Sequence, residues 1–218
     1  MTRPVLVLNP NSSQSVTDAL HTALEPLRFS GGPAIHCATL AEGPPAIETD
    51  DHVAGVVEHV CAYVSSNEES AGAFVIACFS DPGLRQARGT SPRPVFGMAE
   101  SGLLTALAHG QRFGVISILE SSLPRHLQYI RDLGIESRLA ADLPVSLGVL
   151  ELEDHGVALD RMCSVGARLR DEHGADVIVM GCAGMVALRA PLQAHLGIPV
   201  IEPVQAAVSM AMGAVALG

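Results

Sequence analysis

The chain has 218 residues, and its 23 acidic and 13 basic side chains give a formal charge of −10. An acidic chain without a basic stripe is not expected to bind nucleic acid or an anionic membrane, and an aromatic content of 3% with no Trp disfavours a base-stacking platform. The five cysteines form no CxxC pair, which disfavours a disulfide framework and a zinc site. No signal peptide or long apolar span is visible, so a cytoplasmic location is expected.

The first half of the chain alternates short apolar runs with turn-forming residues, a pattern typical of alternating strands and helices. The predicted strands lie near residues 4–8, 34–40, 73–77 and 94–96. The predicted helices run from about Ser13 to residue 27, over 53–64, after Cys78 with Asp81 as the N-terminal cap, and over 99–108.

Arg112 begins a second copy of this pattern. Residues 3–13 align without a gap with residues 112–122, and later matches keep the same order, which indicates an internal duplication. The predicted strands of this half lie near 112–118, 136–140, 177–180 and 199–201, and the predicted helices cover 123–133, 157–172, 187–196 and the stretch from 203 onward.

This alternation predicts an α/β protein with parallel sheets that carry helices on both faces. We expect two flavodoxin-like, doubly wound lobes related by a pseudo-twofold axis: a first domain of residues 1–108 plus 203–218, and a second of residues 109–202. Ligands of open α/β sheets bind at the carboxyl ends of the strands. The active site is therefore expected in the cleft between the lobes.

Two of the five cysteines end buried strands. Cys78 and Cys182 each follow an apolar run and precede small or turn-forming residues, where helix-terminal amides favour a reactive thiolate. Cys37, Cys61 and Cys163 alternate with apolar residues or lie on apolar helix faces, so they are predicted to be packing residues. No histidine lies at ligand spacing from Cys78 or Cys182, and the nine histidines are predicted to be solvated.

Five segments resemble one known family: residues 9–13 (Asn-Pro-Asn-Ser-Ser), 78–84, 113–116, 181–185 and 199–204. They are similar to the Asp/Glu/hydantoin racemase superfamily and, within it, to hydantoin and allantoin racemases. The resemblance extends from Arg3 to the last helix, and the two cysteine segments are its most specific parts.

The resemblance implies an isomerase with no cofactor and no metal. It implies a small-molecule substrate, a cyclic ureide, and a homo-oligomeric protein. It implies that Cys78 and Cys182 are the catalytic acid and base. Substrate-binding roles are implied for Asn11, Ser80, Ser117, Ala183 and Gly184, although the family often has Thr where this chain has Ser117.

The residues after the two cysteines favour hydantoin or allantoin as the substrate. Aspartate and glutamate racemases have Asn-Thr and Thr-Glu at these places, whereas this chain has Phe79-Ser80 and Ala183-Gly184. Arylmalonate decarboxylase keeps only the second cysteine, so Cys78 argues against that chemistry. An amino-acid racemase, a cysteine-dependent decarboxylase or isomerase, and a non-catalytic binding module stay open as alternatives.

Overall fold

The structure is a computed structural model that describes residues 2–218, and the chain forms two compact units within it. Unit 1 extends to Ser101 and resumes at Val204–Gly218, whereas unit 2 is Gly102–Pro203. The division falls inside one helix, Met98–His109.

Unit 1 contains a four-stranded sheet with helices between its strands. Its strands are β1 (Val5–Asn9), β2 (Ile35–Thr39), β3 (Ala73–Ile76) and β4 (Val95–Gly97). Its helices are α1 (Gln14–Ala23), α2 (Asp50–Gly55), α3 (Val57–Asn67), α4 (Leu84–Thr90), the start of α5 (Met98–His109) and, from the end of the chain, α9 (Pro203–Leu217).

Unit 2 repeats this plan. Its strands are β5 (Phe113–Ser117), β6 (Leu139–Pro144), β7 (Val177–Met180) and β8 (Val200–Ile201). Its helices are α6 (Leu123–Asp132), α7 (His155–Asp171) and α8 (Arg189–Leu196), and a 3₁₀ helix at Ala183–Leu188 precedes α8.

Both sheets are parallel and share one strand order. The order is β2-β1-β3-β4 in unit 1 and β6-β5-β7-β8 in unit 2, so each first strand is central and pairs directly with the strand that precedes Cys78 or Cys182. The central strands are buried along their whole length, which explains why they read as unbroken apolar runs. The predicted α/β class with two parallel-sheet lobes is confirmed.

Strand register corrects the alignment of the two halves by one residue. Strands β3 and β7 begin at Ala73 and Val177, which are therefore equivalent positions. Val5 pairs with Ala73 and Phe113 pairs with Val177, so Val5 is equivalent to Phe113 rather than to Gly114. Apolar runs tolerate such a slip in a sequence comparison because neighbouring residues are chemically alike. The corrected register makes Asn9 equivalent to Ser117, and both are buried polar residues that end their strands.

Two predicted elements differ from the structure. The helix predicted over 53–64 is interrupted at Val56 between α2 and α3. The strand predicted near 136–140 lies later, as β6, after a 3₁₀ turn at Glu136–Arg138. All six residues of β6 are half-buried, which weakens the apolar signal that marks the other strands.

None of the helices within residues 2–218 combines the length and the apolar character needed to cross a bilayer.

Candidate active site

Cys78 lies in the turn that follows β3. Its carbonyl accepts the N–H of Asp81 at 2.9 Å, so the chain reverses immediately after the cysteine. Phe79 is buried, whereas Cys78 and Ser80 are half-buried. Ala77 donates to the carbonyl of Leu8 on β1 at 2.8 Å, and this bond fixes the turn at the carboxyl edge of the sheet.

Asp81 fixes this turn from within. It is buried, has φ of 42°, and its carboxylate accepts the N–H groups of Ala99 at 3.0 Å and Glu100 at 2.9 Å. The prediction that Asp81 caps the helix directly after Cys78 is therefore wrong, because it caps α5 instead. Helix α4 starts after Gly83, which has φ of 73° and no side chain to offer. The Asp81 carboxylate fits because residue 97 is a glycine. A Cβ on Gly97 would lie 2.2 Å from the Asp81 side chain.

Asn11 is held by a buried polar network at the end of β1. Its Oδ1 accepts the side-chain N–H of Asn9 at 2.8 Å and the backbone N–H of Ser13 at 2.9 Å. Asn9 also donates to Thr17 at 3.1 Å, and Thr17 contacts Thr39 at 2.6 Å. These two donors fix the orientation of the Asn11 amide through its Oδ1. The Nδ2 group is then the part of the amide that can donate to a ligand.

Cys182 follows β7 at the equivalent place in unit 2. It is buried, and its Sγ accepts the backbone N–H of Gly184 at 3.4 Å at the start of the 3₁₀ helix. An N–H donor at a helix start favours negative charge on sulfur. Ala183 is buried and Gly184 half-buried, so the turn offers backbone amides and little side chain.

Ser117 ends β5, next to the Cys182 strand. Its side chain is fully buried, and its Oγ donates to Asp142 at 2.5 Å and lies 3.0 Å from Nδ1 of His126. This burial disfavours direct contact between the hydroxyl and a substrate. The structure thus brings Asn11, Cys78 and Ser80 to one sheet edge of unit 1, and Ser117, Cys182, Ala183 and Gly184 to the equivalent edge of unit 2.

The other three cysteines have thiols that resist ionisation. Burial raises the pKa of Cys37, although nearby Arg28 opposes the effect. Burial also raises the pKa of Cys61, with a further contribution from Glu58, and that of Cys163, with one from Asp160. Cys61 packs against the core of unit 1, as its place among the valines suggests. These three thiols are half-exposed, yet each loses its proton at a higher pH than an ordinary cysteine does.

Sequence reasoning missed three residues of this region: Asp81 in its capping role, His126 and Asp142. The prediction that the histidines are solvated is wrong for His126, which is 5% exposed. Its partner Asp142 lies 16 residues away on another element, so no local pattern marks the pair. The burial of Asn9 could have been expected, because a polar residue ends an otherwise apolar strand.

Within residues 2–218, no three His, Cys, Asp or Glu side chains are grouped as metal ligands would be.

Comparisons with known proteins agree on one family. The sequence profile described as Asp/Glu/Hydantoin racemase matches residues 5–211. A hydantoin racemase from Paenarthrobacter aurescens is 36% identical over 218 residues, which covers 98% of this chain and 92% of the relative.

Solved structures extend the likeness to three dimensions. An allantoin racemase from Klebsiella pneumoniae has a TM-score of 0.94 and 33% identity, over 99% of this chain and 89% of that one. The allantoin racemase from Pseudomonas fluorescens has a TM-score of 0.93 and 25% identity, over 99% of this chain and 92% of that one.

Proposed function

Because the chain belongs to the Asp/Glu/hydantoin racemase family, we propose that it racemises neutral cyclic ureides, 5-substituted hydantoins or allantoin, without a cofactor. As a member of this family, the chain is an isomerase. The two-cysteine mechanism, the cofactor independence and the substrate class are the parts we propose.

The matched placement of Cys78 and Cys182 carries the proposal. Each follows the strand that pairs with the central strand of its sheet, at equivalent registers. Racemisation must remove a proton from one face of a carbon and return one to the other face. Two cysteines on equivalent strand ends supply two such groups, one acting as base in its thiolate form and the other as acid in its thiol form.

The ring itself supplies the electronic assistance. The hydrogen removed lies on a carbon between a carbonyl and a nitrogen, and the carbanion spreads onto the carbonyl oxygen as an enolate. We assign stabilisation of that oxygen to the Nδ2 group of Asn11 and to the backbone amide of Ala183, with Ser80 and Gly184 as further substrate contacts. One such donor is typically worth about 2.7–4 kcal/mol of barrier.

The polarity of the two turns favours an uncharged substrate. A free amino acid carries a carboxylate and an ammonium, and each needs a charged or hydroxyl partner when buried. After the cysteines the chain offers Phe79, Ser80, Ala183 and Gly184, which suit carbonyl and amide edges better than full charges.

Solvent deuterium uptake tests this function. Single enantiomers of a 5-substituted hydantoin, allantoin, aspartate and glutamate are incubated in parallel with the protein, without added cofactor, and the reacting carbon is followed by proton NMR. We expect exchange into at least one ureide, far faster than into either amino acid. A protein-free incubation is the blank, because a variant with one remaining thiolate can still exchange the hydrogen on one face. Faster exchange into aspartate or glutamate than into every ureide would overturn the proposal.

We also propose that the protein is homo-oligomeric and cytoplasmic. Helix α9 has no charged residue between Pro203 and Leu217, and its last two turns are partly exposed, which suits an interface better than a solvated surface. Light scattering coupled to size-exclusion chromatography measures the mass, and a species of 22.7 kDa would contradict the oligomer.

A further inference from the structure

A buried ionisable cluster at the end of β5 has no part in the proton transfer described above. His126 of α6 places Nδ1 2.9 Å from Oδ2 of Asp142, and Ser117 donates to the other carboxylate oxygen. All three side chains are at least nine-tenths buried. Both Ser117 and His126 contact the same carboxyl group, one at each oxygen.

The cluster does not have the arrangement of a hydrolytic triad. In such a triad the serine and the carboxylate bind opposite nitrogens of the imidazole. Here Ser117 and Asp142 both lie at Nδ1, and Ser117 has no exposed surface to meet a substrate. The cluster therefore acts on the structure around it rather than on a reacting bond.

The cluster joins the elements that support the Cys182 turn. Gly181 donates to the carbonyl of Ile116 at 2.8 Å, and a Cβ on Gly181 would lie 3.2 Å from the Cα of Ser117. The residue before Cys182 is thus packed directly on the residue that the cluster holds. Any shift of Ser117 moves the backbone that aims Sγ and the Gly184 N–H bound to it.

Unit 1 has a neutral counterpart of this cluster. Asn9 is equivalent to Ser117 in strand register, and Thr17 lies on α1 as His126 lies on α6. The contacts of Asn9 and Thr17 involve amides and hydroxyls only. The duplication therefore provides a matched control inside the same chain.

We infer that His126 and Asp142 are positioning residues for Cys182, acting through Ser117 and Gly181 on the thiol turn of unit 2 alone. This inference rests on the proposed function for its kinetic consequence, but its structural consequence can be measured without turnover.

The test compares thiol alkylation rates in the intact protein, with peptide mass spectrometry to locate the label. His126→Leu removes the imidazole, His126→Asn restores an N–H near the place of Nδ1, and Thr17→Val perturbs the counterpart in unit 1. We expect His126→Leu to lower the Cys182-to-Cys78 rate ratio about tenfold and kcat by up to about 100-fold, with KM nearly unchanged. His126→Asn recovers most of both losses, and Thr17→Val does not lower the ratio.

A purely structural role would lower the melting temperature and leave the ratio and kcat unchanged, and that result in a folded His126→Leu protein overturns the inference. If His126→Leu does not fold, Asp142→Asn, which keeps the side-chain volume, is read in the same way. A shifted ratio in a protein that racemises no ureide would refute the proposed function and leave the positioning role standing.

Discussion

Each unit places a cysteine at the equivalent point of its own sheet, but the two units hold the cysteine turn by different means. In unit 1, Asp81 binds the start of α5 and thereby fixes the Cys78 turn. In unit 2, strand register puts the buried, apolar Met185 at that place, and Gly184 donates to Cys182 instead.

The buried polar networks at the ends of β1 and β5 also differ between the two units. The network at the end of β1 is neutral, whereas the one at the end of β5 contains His126 and Asp142. The difference teaches that a duplicated scaffold preserves where a reactive group stands more strictly than what surrounds it. In the proposed mechanism the two thiols exchange roles with the enantiomer that is consumed, and their environments are unequal.

Replacing Cys78 or Cys182 is expected to have the largest effect and tests whether the two positions are equivalent in function. Cys78→Ser and Cys182→Ser should each abolish racemisation, because a proton must leave one face and arrive at the other. Decay of the circular dichroism of a single enantiomer measures it. A variant that keeps most of its rate would remove that cysteine from the mechanism and break the symmetry between the units.

Asn11 tests the donor that unit 1 contributes. Asn11→Asp keeps an oxygen for Asn9 and Ser13 but removes the Nδ2 donor, so kcat should fall about 100- to 1,000-fold with little loss of stability. Steady-state kinetics and thermal unfolding are compared with those of Asn11→Ala, which also loses the network. Full activity of Asn11→Asp would assign the enolate oxygen to the backbone amide of Ala183 alone.

Asp81 tests how far the Cys78 turn depends on its carboxylate. Asp81→Ala leaves the N–H groups of Ala99 and Glu100 without their acceptor and should cost about 1–2 kcal/mol of unfolding free energy, as loss of a helix cap does. Asp81→Asn tolerates the positive φ and keeps one acceptor, so it should lose less. We expect urea denaturation to rank the two, and slower Cys78 alkylation only in the alanine variant. Equal stabilities would contradict the capping role.

The smallest effect on turnover is expected at Cys37, Cys61 and Cys163. Their alanine variants should keep the wild-type kcat and lose no more than about 1 kcal/mol each. A folded Cys61→Ala protein without activity would show that the assignment to packing is wrong.

The same three cysteines predict a pH dependence. Because burial raises their pKa in the folded state, that state holds the thiol protons more tightly than the unfolded chain does. Their contribution to stability is therefore complete at neutral pH and is lost as the pH rises past the ordinary thiol pKa of about 8.5. Melting temperatures from pH 7 to 10 should fall less steeply in the triple alanine variant, and an unchanged slope would refute this origin.

The central strands could be predicted from sequence because burial on both faces leaves an unbroken apolar run, as in β3 and β7. The bounds of strand β6 could not be predicted well, because its residues are half-buried and Asp142 interrupts the apolar run that marks the other strands. The cysteine positions followed from strand ends, which are local.

Contacts between distant elements could not be predicted in this way. Asp81 reaches helix α5 18 residues later, and His126 meets a strand 16 residues away. Spacing along the chain carries no record of such pairings, since they arise only when the sheet order brings the elements together.

The return of the chain to unit 1 through α9 bears on how the protein is made. Gln205 donates to the carbonyl of Ala23 at 2.8 Å, and a Cβ on Gly72 would lie 2.9 Å from a methyl of Val215. Gln205 and Ala23 leave the ribosome 182 residues apart, so the lobe begun first must wait, with an apolar flank uncovered, until all of unit 2 has been synthesised. Nascent chains stalled before Pro203 should therefore recruit chaperones that the completed polypeptide releases.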